Sequence, residues 1–244
     1  WMGLGSNLLV RDGGIDGVVI ATQRGLGALR RLTSGAVRAE AGVPCAKLAR
    51  LCERERLAGG AFFAGIPGTL GGALAMNAGA FGGETWAQVT RVEVMNRAGA
   101  RFWRDAAAYE VGYRHVVTPI PGEWFIAGEW HFEPADEDAS TGSSRVRELL
   151  ARRAATQPLG LPSCGSVFRN PPGDHAARLI EAAHLKGARC GDAEVSSKHA
   201  NFIINRGQAR AADIEALIEH IQAEVWSRFG VELVPEVRIV GRPS

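Results

Sequence analysis

Apolar residues recur at helical spacing in four places along the chain. The clearest is Ala211 to Phe229, where Ile214, Leu217, Ile218, Ile221 and Val225 fall on one face and Gly230 follows, which predicts a packing helix. Pro44, with Cys45, Leu48 and Cys52 on one face behind it, predicts a second helix that stops at Gly59-Gly60. Ala176, Leu179, Ile180 and Ala183 predict a short helix over His175 to Leu185. Val146, Leu149 and Leu150 mark a fourth, just after the small polar break Ser140 to Ser144. Strand composition appears at Gly17 to Ile20, Ala36 to Glu40, Phe125 to Phe132 and Asn201 to Asn205. Thr90 to Met95 and Ala100 to Trp103 flank Asn96-Arg97-Ala98-Gly99, the signature of a β-hairpin with Gly99 at positive φ. Val231 to Val240 reads as a last strand, broken by Pro235 at an edge or bend. The polar break marks a domain boundary near residue 142, or slightly later, by Pro158 to Pro162.

Composition narrows the class. Of 244 residues, 46% are hydrophobic and 22% charged, as in a folded globular protein. Runs such as Phe202-Ile203-Ile204 are far shorter than the ~18 residues a membrane helix needs. With 28 basic and 26 acidic residues the net charge is +2, so there is no broad basic field for nucleic acid. The expected partner is a small molecule, with neither nucleic acid nor membrane. Four cysteines without a CxxC pair, and six histidines without metal-ligand spacing, predict core thiols, no metal site and a cytoplasmic location. Glycine is the anomaly: 31 of 244 residues, nearly twice the usual ~7%.

Its clustering indicates candidate chemistry. Gly3-Leu4-Gly5-Ser6-Asn7 can turn consecutive N–H groups into one anion-holding concavity. Gly65-Ile66-Pro67-Gly68-Thr69-Leu70-Gly71-Gly72, continuing through Asn77-Ala78-Gly79 to Gly83, sets main chain against an extended, flat, anionic partner. It lacks the strand, turn and helix of a Rossmann dinucleotide fingerprint. Tyr113-Arg114 offers a permanent cation. Cys164-Gly165-Ser166 lets a hydroxyl project from a bend, without the Gly-x-Ser-x-Gly elbow of a hydrolase. Pro235-Glu236-Val237-Arg238 sets a carboxylate in a β-branched run, and His199 beside Lys198 is a candidate phosphate contact.

Taken in order, Gly-Leu-Gly-Ser-Asn-Leu-Leu-Val-Arg-Asp, Ala-Gly-Ile-Pro-Gly-Thr-Leu-Gly-Gly-Ala, Met-Asn-Ala-Gly-Ala-Phe-Gly, Tyr-Arg, Cys-Gly-Ser-Val-Phe-Arg-Asn-Pro and Pro-Glu-Val-Arg resemble the UDP-N-acetylenolpyruvoylglucosamine reductases (MurB), flavin enzymes of peptidoglycan synthesis. The resemblance runs from Gly3 to Gly241 and is closest to the compact type without an inserted capping fold. It implies an FAD-binding domain of the vanillyl-alcohol-oxidase type over 1–142, lacking the family's first βα segment. A linker helix and a small substrate-binding α+β domain would follow over 143–244.

The resemblance further implies that NADPH reduces noncovalent FAD and that the reduced flavin delivers hydride to C3 of the enolpyruvyl ether. Arg114 would stabilise the enolate-like charge, Ser166 would protonate C2, and Glu236 would orient the reacting group or donate a hydrogen bond to the developing charge. Gly3, Gly5, Ser6, Asn7, Gly65, Ile66, Pro67, Gly68, Gly71, Gly72, Asn77 and Gly79 would hold the cofactor. Tyr113, Arg169, Asn170, Lys198 and His199 would face the substrate. Such an enzyme is expected to be a monomer. Two other readings remain open on the residues: another FAD oxidoreductase of this fold, or a catalytically silent UDP-sugar-binding module.

Overall fold

The computed structural model describes residues 1–135 and 142–243. In chain order, β1 (Leu8–Val10), β2 (Leu29–Arg31) and β3 (Val37–Glu40) precede α1 (Cys45–Arg54) and α2 (Leu70–Met76). Then come β4 (Gly79–Ala80), β5 (Gly83–Glu84), β6 (Val89–Asn96), β7 (Arg101–Asp105), β8 (Glu110–Gly112), β9 (His115–Val117), β10 (Glu123–Trp130) and α3 (Gly142–Thr156). The last third holds α4 (Ala176–Ala182), β11 (Arg189–Cys190), β12 (Ala193–Val195), β13 (Ile203–Asn205), α5 (Ala211–Phe229) and β14 (Arg238–Val240). Backbone contacts divide the chain into two compact units, Trp1–Leu4 with Val19–Arg153, and Gly5–Val18 with Ala154–Ser244. The units are therefore interleaved in sequence, where the sequence reading sets them end to end. Of the expected break at 140–144, residues 140 and 141 lie outside the described residues.

The first unit is built on an antiparallel sheet of order β2-β3-β10-β6-β7. Its apolar positions alternate as strands require: Val37 and Ala39 of β3, and Val92 and Val94 of β6, are buried in one core with Trp130 of β10. Cys45, Leu48, Ala49 and Cys52 of α1, and Leu70 and Leu74 of α2, join that core, each large apolar side chain contributing about 1.5–3 kcal/mol. Burial pushes the Cys45 and Cys52 thiols up to about 12, so both are inert packing groups. The intervening positions pair charges: Glu93 accepts from Arg38 and Arg101, and Glu129 from Arg91 at 2.8 Å. α1 ends at Arg54, earlier than expected. Arg56 (φ 53) turns the chain, while Gly60 lets the backbone approach Cys52, whose sulfur would lie 2.4 Å from an added Cβ.

The second unit pairs β1 in parallel with β14, Leu9 opposite Ile239, and adds the three-stranded sheet β11-β12-β13. α5 has the bounds its periodicity predicts and buries Leu217, Ile218, Ile221 and Val225 against Leu179 and Ile180 of α4 and Val195 of β12. Asp12, just after β1, accepts hydrogen bonds from the first two amides of α5, Ala211 N and Ala212 N, and Gly230 (φ 64) closes the helix.

Two expected strands differ. Gly17 to Ile20 forms none: it has no ladder partner, Gly17 sits at φ 129 and Val18 is exposed, so β-branched composition alone does not make a strand there. Of Val231 to Val240, only β14 is a strand. Pro235, which has no N–H to donate, sits instead in an isolated bridge with Phe168.

Candidate active site

Arg114 is the last residue of a two-residue turn between β8 and β9, since Gly112 pairs with His115. Its backbone is left-handed (φ 53), a costly setting for a side chain with a Cβ. The guanidinium donates from Nη1 to Asn77 O at 3.2 Å and from Nη2 to Gly79 O at 2.8 Å, and lies 5.0 Å over the half-exposed ring of Tyr113. Any Cβ at Gly79 would stand 2.4 Å from Gly83 O and 3.1 Å from Arg114 Nη1, so glycine there keeps the guanidinium's seat open. The Asn77 side chain is buried and committed within the protein, accepting from Trp86 N at 3.1 Å and donating to Glu84 at 3.0 Å and Gly112 O at 3.1 Å.

The glycine loop around the start of α2 serves two purposes. Gly65 and Gly71 permit close packing, against the Phe81 ring (2.3 Å to an added Cβ) and Ala41 (2.7 Å). Gly72 is exposed, and nothing lies nearer to its Cβ position than the Thr69 hydroxyl at 3.9 Å. That hydroxyl is buried and has no hydrogen-bond partner among the described residues, and Gly3 packs its backbone close against it, an added Cβ standing only 2.3 Å from the oxygen. An orphaned buried hydroxyl beside an open glycine, Gly72, and beside Gly3, where only glycine fits, suits a flat dinucleotide cofactor held by main chain. Gly3, Gly68 and Gly72 with Thr69 would hold it.

In the second unit, Gly5, Ser6, Asn7, Ser166 and Glu236 come together. Gly5 (φ 70) and Gly165 (φ 79) make two left-handed turns, and the Gly165 Cβ position lies 3.6 Å from Ser6 O. Glu236 N donates to Val167 O at 2.7 Å, Asn7 Nδ2 to Glu236 O at 3.0 Å, and Arg238 N to Asn7 O at 3.0 Å. Ser166 thus stands one residue from the carbonyl that receives Glu236, its residue half-buried. Burial pushes the neighbouring Cys164 thiol up to about 11, leaving it protonated beside the serine. The buried Asn201 side chain accepts from Phe168 N at 2.9 Å and donates to Phe168 O at 2.8 Å, pinning the segment after Ser166. The sequence reading misses both Asn201 and Thr69. Only the position of Thr69 inside a glycine loop signals it.

The residues expected to face the substrate divide. Arg169 stays a candidate cation, its Nε buried and without a hydrogen-bond partner among the described residues. Asn170 Oδ1 is engaged by Ala176 N at the start of α4, and Lys198 Nζ by Ala154 O at 2.6 Å. His199 accepts from Asn201 N through Nδ1 and stacks edge-on against Phe202. Burial, followed by the Lys186 charge, lowers its pKa below the ordinary histidine value, so it brings no cation to a phosphate at neutral pH.

An antiparallel-sheet unit with glycines around an orphaned buried hydroxyl, and a second, small α+β unit, define a two-domain cofactor-binding protein. Accordingly, residues 1–103 match the family model described as FAD binding domain, and residues 157–240 match that of the UDP-N-acetylenolpyruvoylglucosamine reductase C-terminal domain. UDP-N-acetylenolpyruvoylglucosamine reductase of Alkalilimnicola ehrlichii is 64% identical over 99% of this chain and 80% of its own length. That of Methylococcus capsulatus is 59% identical over 99% and 78%. The crystal structure of the Thermus caldophilus enzyme superposes with a TM-score of 0.83 at 33% identity, covering 97% of this chain and 83% of that one. The chain belongs to the UDP-N-acetylenolpyruvoylglucosamine reductase family.

Proposed function

We propose that the protein reduces UDP-N-acetylglucosamine enolpyruvate to UDP-N-acetylmuramate, with NADPH as reductant and noncovalent FAD as carrier, in peptidoglycan precursor synthesis. FAD, held by Gly3, Gly68, Gly72 and Thr69, would supply two-electron redox chemistry between NADPH and the enolpyruvyl double bond. The chain's residues manage the resulting charge. Reduction at C3 drives negative charge onto C2 and the attached carboxylate, and a guanidinium, charged at every physiological pH, stabilises it. Arg114, held by two carbonyls, takes that role. The Ser166 hydroxyl gives its proton to C2, which a weak acid can do when the acceptor is strongly basic. Glu236 orients the reacting group, and Arg169 with Tyr113 contacts the nucleotide sugar. The reading extends to a monomer acting on a soluble small molecule in the cytoplasm; among the described residues no helix is long and apolar enough to cross a membrane.

The single observation that supports this assignment is the set of hydrogen bonds that ties Glu236 to Val167, the residue after Ser166, and to Asn7. Stopped-flow measurement of Ser166→Ala, loaded with FAD, separates the two halves of turnover. Flavin bleaching by NADPH persists, and reoxidation by the enolpyruvyl substrate slows about 100-fold or more. Undiminished reoxidation overturns the proton-donor role. A chain that binds the UDP-sugar and FAD but never bleaches with NADPH is a silent binding module.

A further inference from the structure

One buried amide ties the turn that carries Arg114 to the rest of the first unit. Asn77 closes α2 in the left-handed region (φ 45, ψ 51) and is 1% exposed, and it uses every hydrogen-bonding group of its side chain. Oδ1 accepts from Trp86 N, while Nδ2 donates to Glu84 of β5 and to the carbonyl of Gly112, the residue that opens the Tyr113-Arg114 turn. From the same residue the main-chain carbonyl accepts Arg114 Nη1. Asn77 therefore grips the turn at its base and the guanidinium at its tip. A left-handed arginine persists only where its surroundings over-determine it, and these bonds do so.

We propose that Asn77 is the positioning residue of Arg114: its side-chain amide holds the β8–β9 turn so that the guanidinium is fixed before substrate arrives. The proposal rests on Arg114 being the group that stabilises charge on the reduced substrate. Asn77→Asp is close in shape, keeps an acceptor for Trp86 N, removes the donor to Gly112 O and Glu84 and sets a carboxylate against that of Glu84. We expect it to slow substrate-dependent flavin reoxidation at least tenfold in the wild-type background. In the Arg114→Lys background, where the fixed guanidinium is already gone, it costs less than threefold, because a residue acting through another loses its effect when that other is absent. In the flavin-free protein, amide hydrogen exchange at residues 110–117 rises with Asn77→Asp while that of β6 and β10 stays unchanged.

Equal losses in both backgrounds, or no loss in either, overturn the proposal, as does unchanged exchange at 110–117. If Arg114→Lys itself turns over at the wild-type rate, the reading of Arg114 fails instead. Should Asn77→Asp not fold, Asn77→Gly suits the left-handed backbone, deletes the same amide and is measured against the same thresholds.

Discussion

Glu194 shows how a single buried charge is kept. It is 4% exposed, between Arg189 at 2.5 Å and Arg206 at 2.9 Å, and the bond from Arg206 leads the effects that hold its carboxyl below the ordinary glutamate range. Because the folded value lies below the unfolded one, the pairing stabilises the protein above pH ~4.3, and that stability is lost as pH falls through the folded value. Thermal melts should therefore hold steady from pH 7 to about 5 and drop below about 4. Glu194→Gln should blunt that acid sensitivity and lower stability at pH 7 by about 1 kcal/mol, a modest figure because both arginines reach solvent. At this scale local pattern offered Arg114, Ser166 and Glu236 only as a cation, a hydroxyl after glycine and a carboxylate in an apolar run, and their expected roles came from the resemblance. Asn201, Thr69 and the side-chain bonds of Asn77 carried no local signal, since a buried polar side chain is defined by partners remote in sequence.

Among elements, helices were read best, because a 3.6-residue period is written along one continuous stretch. α5 matched its expected bounds, and α1 began where Pro44 indicated. Short strands were read worst: two- and three-residue strands such as β4, β5, β8 and β9 exist through their partners, not their composition. The same dependence makes two helices vulnerable at named points. Asp12→Ala removes the oxygens that cap α5 and should lower stability by about 1 kcal/mol in denaturant titration. Gly71→Ala drives a methyl to 2.7 Å from Ala41 Cβ and should cost about 1–3 kcal/mol, with a matching loss of FAD affinity by fluorescence as the start of α2 shifts.

Across the whole molecule, the amino-terminal strand belongs to the unit that the carboxyl end builds. β1 is the partner of β14, Arg11 pairs with Glu215 at 2.7 Å, and Leu9 lies in the core with Leu233 and Val237. A fragment of residues 154–244 should therefore lack a cooperative melt, and adding a peptide of residues 5–18 should restore one, read by circular dichroism. The sequence by itself determined the main helices, the central hairpin and the glycine-rich candidate loops, because periodicity and backbone freedom are local properties. Only the tertiary structure decided that residues 5–18 join the far end of the chain, that the segment after Ser166 bonds to Glu236, and that Asn77 bonds both Gly112 and Arg114. Those pairings close loops of tens to hundreds of residues, and no local pattern specifies which distant backbone group will satisfy a buried donor.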